Sequence, residues 1–198
     1  MDGEPYCPVV TAFQPAGREP APAPLDLVQD FVNTEIPEWA RDDLGSPSAL
    51  AAWLAAHGLV EPGDPVSPEA FLRARALRSC LRSLALANNT GRPPEPEVRD
   101  ASLADIGPLP FAFDIGSNGG PRVVPAGDGV DRALARLVAI AVTAAHDGTW
   151  PRLKACRKTS CGWLFYDRSR NRSSNWCSMT ICGNRAKTAD YRRRRATA

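Results

Sequence analysis

The hydrophobic positions of this chain fall into helical stripes separated by proline-marked breaks. From Pro24 onward, Leu25, Val28, Phe31 and Val32 share one helical face, and that helix ends near Asn33 and Thr34, before Pro37. Ser46-Pro47 and Ser67-Pro68 each signal a helix start, with serine as the cap and proline in the first turn. Behind the first start, Leu50, Trp53 and Leu54 form a stripe closed by Gly58. Behind the second, Phe71, Leu72, Leu77, Leu81, Leu84 and Leu86 run toward Asn88-Asn89, with Arg73, Arg75, Arg78 and Arg82 on the other faces. Those arginines fit either an ordinary solvated surface or the lining of a ligand site.

Pro93 to Pro96 breaks the helical pattern. Over Leu109 to Ile115 the period changes to two, with Phe111, Phe113 and Ile115 alternating against Ala112 and Asp114. This predicts a strand that turns through Gly116 to Pro121 and pairs with Arg122 to Val124 as a hairpin. Gly129 to Ala145 carries the clearest amphipathic stripe, closed by His146-Asp147-Gly148. Residues 1–24 hold six prolines among Ala and Gly and show no apolar period, so they read as a flexible tail. The fold class expected is α+β: a mainly helical N-terminal domain over 25–150 with a small antiparallel sheet, and a separate module over 151–198.

Composition supports a real core, since 43% of the 198 residues are hydrophobic and 23% charged. No run of about 18 apolar residues is present, which argues against a membrane span. The first 24 residues lack the basic start and apolar middle of a signal peptide, so a cytoplasmic protein with reduced thiols is expected. The formal net charge of +2 conceals a division. Residues 152–195 contain thirteen Lys or Arg against two acids, whereas residues 1–151 contain eleven Arg against twenty acids. A basic C-terminal module points to an anionic partner, nucleic acid foremost; attraction between the two halves is the other reading.

That module carries Cys156, Cys161, Cys177 and Cys182, with four residues inside each pair and fifteen between the pairs. Two short turns bearing thiolates, brought together by a hairpin, form a Zn²⁺ site from little chain. A closed Cys₄ shell leaves no position for water, so the zinc is expected to be structural. Cys7 in the tail and Cys80 in a helix have no metal partner at useful spacing. Neither a Ser-His-Asp set, a His-Glu-x-x-His motif nor a phosphate-binding Gly loop occurs, so no enzyme is expected. His57 and His146 each sit at a helix end, where the helix dipole accounts for them.

The run Cys161-Gly162-Trp163-Leu164-Phe165-Tyr166-Asp167, with Ser169-Arg170-Asn171, Trp176-Cys177-Ser178-Met179 and Cys182-Gly183-Asn184-Arg185 through Lys187, resembles the CGNR zinc fingers. Upstream, Leu25-Asp26-Leu27 followed by Asp30-Phe31-Val32-Asn33-Thr34 is similar to the start of the ABATE domain that accompanies this finger. The resemblance implies a bacterial stress-induced transcription regulator, with a ligand-binding N-terminal domain and a DNA-binding finger. One departure stands out. The family usually places two arginines before the tryptophan, where this chain has Ser174 and Asn175.

The finger is expected to be treble-clef-like, ending in a basic helix. Candidate DNA contacts are Arg168, Arg170 and Arg172 in the turn and Arg185, Lys187, Arg192 and Arg193 on the helix. Asn33, Thr34 and Trp39 are candidates for the rim of a small-molecule pocket, against the simpler reading of a helix end stitched by side-chain hydrogen bonds. Two other functions suit the same residues: a zinc-stabilised adaptor for RNA or protein, and a redox sensor in which oxidised thiolates release the metal.

Overall fold

The computed structural model describes residues 14–196, apart from the side chains of residues 190, 191, 193 and 196. Cys7 therefore lies outside the described residues. Each predicted helix is present. The first is α1 (Leu25–Asn33), followed by α2 (Pro47–Ala56) and the long α3 (Pro68–Thr90). Ser46 and Ser67 accept hydrogen bonds from the backbone N–H groups of Ala49 and Ala70, as N-cap serines should. A helix not foreseen from the sequence, α4 (Pro96–Ile106), follows the proline break and packs against α3. Val98 and Leu103 of α4 are exposed and only Ile106 is buried, so its sequence has no apolar stripe to announce it. The α5 helix (Gly129–His146) is the last before the cysteine-bearing module.

Three separate two-stranded antiparallel hairpins accompany the helices. The first joins β1 (Glu35–Ile36) to β2 (Arg41–Asp42), and the second joins β3 (Phe111–Ile115) to β4 (Pro121–Pro125). The third pairs β5 (Leu153–Ala155) with β6 (Leu164–Tyr166). The alternation in β3 gave the right element, but its apolar side faces water: Phe113 is 72% exposed. Asp114, Arg122 and Val124 line an open cavity of about 1290 Å³ with the α2–α3 connection and the start of α5.

The main core gathers Val28, Phe31, Leu54, Leu81, Leu134 and Leu137 from four helices. It also contains Leu153, Ala155, Leu164 and Tyr166 of β5 and β6. The C-terminal module is thus seated in the helical domain's own core through its hairpin. Full burial of Leu153 and Leu164 favours the docked arrangement by about 1.5–3 kcal/mol each.

Side-chain amides fasten the same hairpin. Asn33 Nδ2 donates to the Leu164 carbonyl at 2.9 Å and its Oδ1 accepts from the Leu164 N–H at 2.8 Å, extending the edge of β6 as a further strand would. Asn88 donates to the carbonyls of Trp150 and Leu153, and Asn89 to those of Ala155 and Asn175.

Two sequence expectations are corrected here. Of the expected tail, residues 1–13 lie outside the described residues, and residues 14–24 are tied to the rest of the protein at Gln14, Arg18 and Ala21. Gln29 accepts from the Ala21 N–H, and Arg18 donates to the carbonyls of Cys177 and Trp176 while lying over the Phe165 ring. The arginines of α3 are not a solvated face either. Arg78 is 1% exposed and grips Asp42 with both terminal nitrogens, at 2.6 and 2.9 Å. Arg82 binds Glu35 and the Val32 carbonyl, and Arg73 binds Asp131 and the carbonyls of Ile106 and Pro108. Arg75 alone of the four is exposed, over Phe71.

Asp30, in the middle of α1, is 7% exposed, and its Oδ1 has no hydrogen-bond partner. Burial, with Asp26 one turn away adding like charge, pushes its carboxyl up to about 7. Between the ordinary value of about 4 and that raised value, the folded chain holds a proton that the unfolded chain has released. Stability therefore falls as pH rises through this window. Asp30→Asn is expected to stabilise by about 1–2 kcal/mol at pH 8 and to be nearly neutral at pH 5, as read by urea unfolding. Equal effects at both pH values would contradict the assignment.

Candidate metal centre and the basic surface around it

The cysteine pairs converge as their spacing predicts. Cys156 follows β5, and its N–H donates to the Trp163 carbonyl; Cys161 closes the same turn through the Lys158 carbonyl at 2.8 Å. Gly162 comes next with φ +60°, where a side chain would be strained and would press on Arg82. On the other side, Ser178 caps a single π-type turn, Met179–Gly183, that presents Cys182 and leads into the α6 helix (Asn184–Ala196). Gly183 is needed for closeness: a Cβ there would meet the side chains of Met179 and Trp176.

All four sulfurs lie within 4.8 Å of one another and are buried. The Sγ atoms of Cys161 and Cys177 are 3.7 Å apart, and those of Cys177 and Cys182 3.6 Å. A tetrahedron with metal–sulfur bonds of about 2.3 Å has edges of about 3.8 Å, so the cluster is able to hold a metal ion and fits a structural Zn²⁺. Ile36, Trp163, Phe165 and Trp176 surround it. Crowding divides the thiols: hydrogen bonding from Cys161 and Cys177 pulls Cys156 far down, and contact with Cys156 pushes Cys161 up. A bound divalent cation would accept all four as thiolates.

Beside the cluster, the basic turn 168–174 is pinned at its neck by a buried ion pair. Lys154, 4% exposed, donates to Asp167 Oδ2 at 2.9 Å and to the carbonyls of Arg172 and Ser174. Asp167, fully buried, also accepts from the N–H groups of Ser169 and Ser174. Burial alone would raise this carboxyl, but hydrogen bonds from Ser169, Lys154 and Ser174 outweigh it and hold it below the usual carboxylate range.

The predicted DNA contacts land on the surface this scaffold holds. Arg168, Arg170, Arg172, Arg185, Lys187 and Arg192 are all exposed; the side chain of Arg193 lies outside the described residues. Along α6, Asn184, Arg185, Thr188, Ala189 and Arg192 line a shallow groove of about 550 Å³ with Thr180 and Ile181. Arg168 already meets Glu19 and the Pro20 carbonyl, and Arg185 meets Glu38. Glu38 had no signature in the sequence; its role appears only when a loop of the helical domain meets the finger.

The candidate ligand residues are not brought together. Asn33 and Thr34 are buried and fully engaged with protein, Thr34 donating to the Phe31 carbonyl and accepting from Arg78. Trp39 is 60% exposed, and neither cavity described above is lined by any of the three. Thr34 thus stitches the helix end locally, whereas Asn33 spends its amide on the backbone of Leu164 in β6.

Fold and site together define a mostly helical domain with small unclosed antiparallel sheets and a C-terminal four-cysteine metal-binding cluster. Residues 152–195 match the CGNR zinc finger, and residues 25–157 match ABATE, described as "Putative stress-induced transcription regulator". The chain belongs to the ABATE family and carries the CGNR zinc finger. Both are non-catalytic regulatory domains. No curated protein matches the sequence. Among the described residues, no helix is long and apolar enough to cross a membrane.

Proposed function

We propose that this protein regulates transcription by binding DNA through the basic face of its finger, with one structural zinc ion held by Cys156, Cys161, Cys177 and Cys182. The hairpin β5–β6 followed by the second cysteine pair at the start of α6 is read as a treble-clef-like arrangement. The observation that carries the proposal is the stripe of Asn184, Arg185, Thr188 and Arg192 along one groove of a helix that follows directly on the turn bearing Cys182. Helical spacing sets these donors along a line, as contacts to successive phosphates require. The turn from Arg168 to Arg172 adds a second strip of cations. The ligand-responsive role passes from Asn33, Thr34 and Trp39 to the open cavity beside the β3–β4 hairpin, whose lining includes Arg132, Arg136 and several carboxylates.

Fluorescence anisotropy with duplex DNA across a salt series tests the binding reading. Affinity is expected to fall steeply with salt, and Arg185→Ala with Lys187→Ala should weaken binding and flatten the salt slope by about 0.9 for each phosphate no longer neutralised. Salt-insensitive binding, or a preference for single-stranded RNA or an acidic protein, would instead support the adaptor reading.

A further inference from the structure

The loop between β1 and β2 reaches from the helical domain onto the finger. Its base is held by α3: Arg78 grips Asp42, and Arg82 grips Glu35 through both its carboxylate, at 2.7 Å, and its carbonyl, at 2.9 Å. Just beyond, Ile36 packs among the four cysteines with Trp163 and Phe165. The tip, a tight turn over Pro37–Trp39, then sets the carboxylate of Glu38 against the finger's two cysteine turns at once. Glu38 Oε1 accepts from Lys158 Nζ, in the first turn, and from Arg185 Nη1 at 2.6 Å, in the first turn of α6 after Cys182.

Two cations from opposite halves of the metal site therefore converge on one oxygen. This is the arrangement a phosphodiester oxygen would find, and one carboxylate leaves the pair with a net positive charge. The Glu38 side chain is 19% exposed, whereas that of Arg185 is 60% exposed. Arg185 stands at the rim, where exposed ion pairs are weak and screened by salt, so its release costs little.

We propose that Lys158 and Arg185 form a phosphate-binding site, that Glu38 is its internal occupant, and that DNA binds in competition with Glu38. The proposal rests on the DNA-binding reading above for the identity of the competing anion. In it, the helical domain limits the finger's affinity by supplying a carboxylate where the backbone phosphate would sit. Any rearrangement that withdraws the β1–β2 loop opens the site.

The test uses the full-length, zinc-loaded protein and two variants, Glu38→Gln and Glu38→Ala, each checked for retained zinc and helicity. Both are expected to elute from heparin at higher salt than the wild type. On duplex DNA both should bind about three- to tenfold tighter at low salt, with a salt slope steeper by about 1–2, since each further phosphate neutralised adds about 0.9. Combined with Arg185→Ala, the gain should vanish or fall to the share owed to Lys158. Folded variants that elute from heparin no later than the wild type overturn the proposal, whatever DNA does. Later elution from heparin without DNA binding by any form leaves the anion site standing and refutes the DNA reading instead.

Discussion

Cys177→Ser, or chelation of the metal, is expected to unfold the helical domain together with the finger in one transition. Cys177 is in contact with both Cys161 and Cys182, so its loss opens the shell in the middle. Structural zinc in comparable peptides contributes about 10–16 kcal/mol of apparent binding energy, against a typical domain stability of about 5–15 kcal/mol. An isolated finger would keep that loss to itself. Here the finger's hairpin supplies Leu153, Ala155, Leu164 and Tyr166 to the main core, and α1 and α3 turn the amides of Asn33, Asn88 and Asn89 toward it. When the cysteine turns lose their metal, those amides lose their partners and the core loses one wall. Thermal melting followed by circular dichroism, with and without chelator, should show a single transition moved down by tens of degrees. A finger that melts alone, leaving the helical signal at its original midpoint, would contradict this.

Lys154→Met is the second large effect. The substitution keeps the apolar length of the side chain but leaves Asp167 fully buried without its cation, and the carbonyls of Arg172 and Ser174 without their donor. Breaking a buried pair from one side typically costs about 3–5 kcal/mol. Urea unfolding at pH 7 should show a loss of that size, and adding Asp167→Asn should recover part of it by removing the stranded charge. Full stability in the single variant would mean the pair is not buried as described. The pH dependence follows from the lowered Asp167 carboxyl. Its contribution is complete above the unfolded value of about 3.9 and is lost as pH falls from there toward the lower folded value, so wild-type protein should keep it down to about pH 4.

Much of this was readable from the chain because the signals were local. Ser-Pro starts, glycine ends and 3.6-residue stripes placed α1, α2, α3 and α5, and cysteine spacing placed the metal centre. What escaped was set by partners distant in sequence. Arg78 looks like a surface residue on a helix until Asp42, 36 residues away, and Thr34 close around it. Asn33 looks like a helix end until Leu164, 131 residues away, offers its backbone. Residues 14–24 carry no pattern of their own, because a strap held by Arg18 and a few carbonyls needs none. Resemblance to the ABATE and CGNR families supplied the class of protein, while the Glu38 contact had to come from the fold.

Everything proposed for the basic surface depends on a closed four-cysteine zinc site that organises it. Native mass spectrometry of the purified full-length chain, with zinc measured per folded molecule, probes that site without assuming any partner. One zinc per chain is expected, with Cys156, Cys161, Cys177 and Cys182 protected from alkylation until the metal is removed. A folded chain that carries no metal and leaves these four thiols open to alkylation would contradict it.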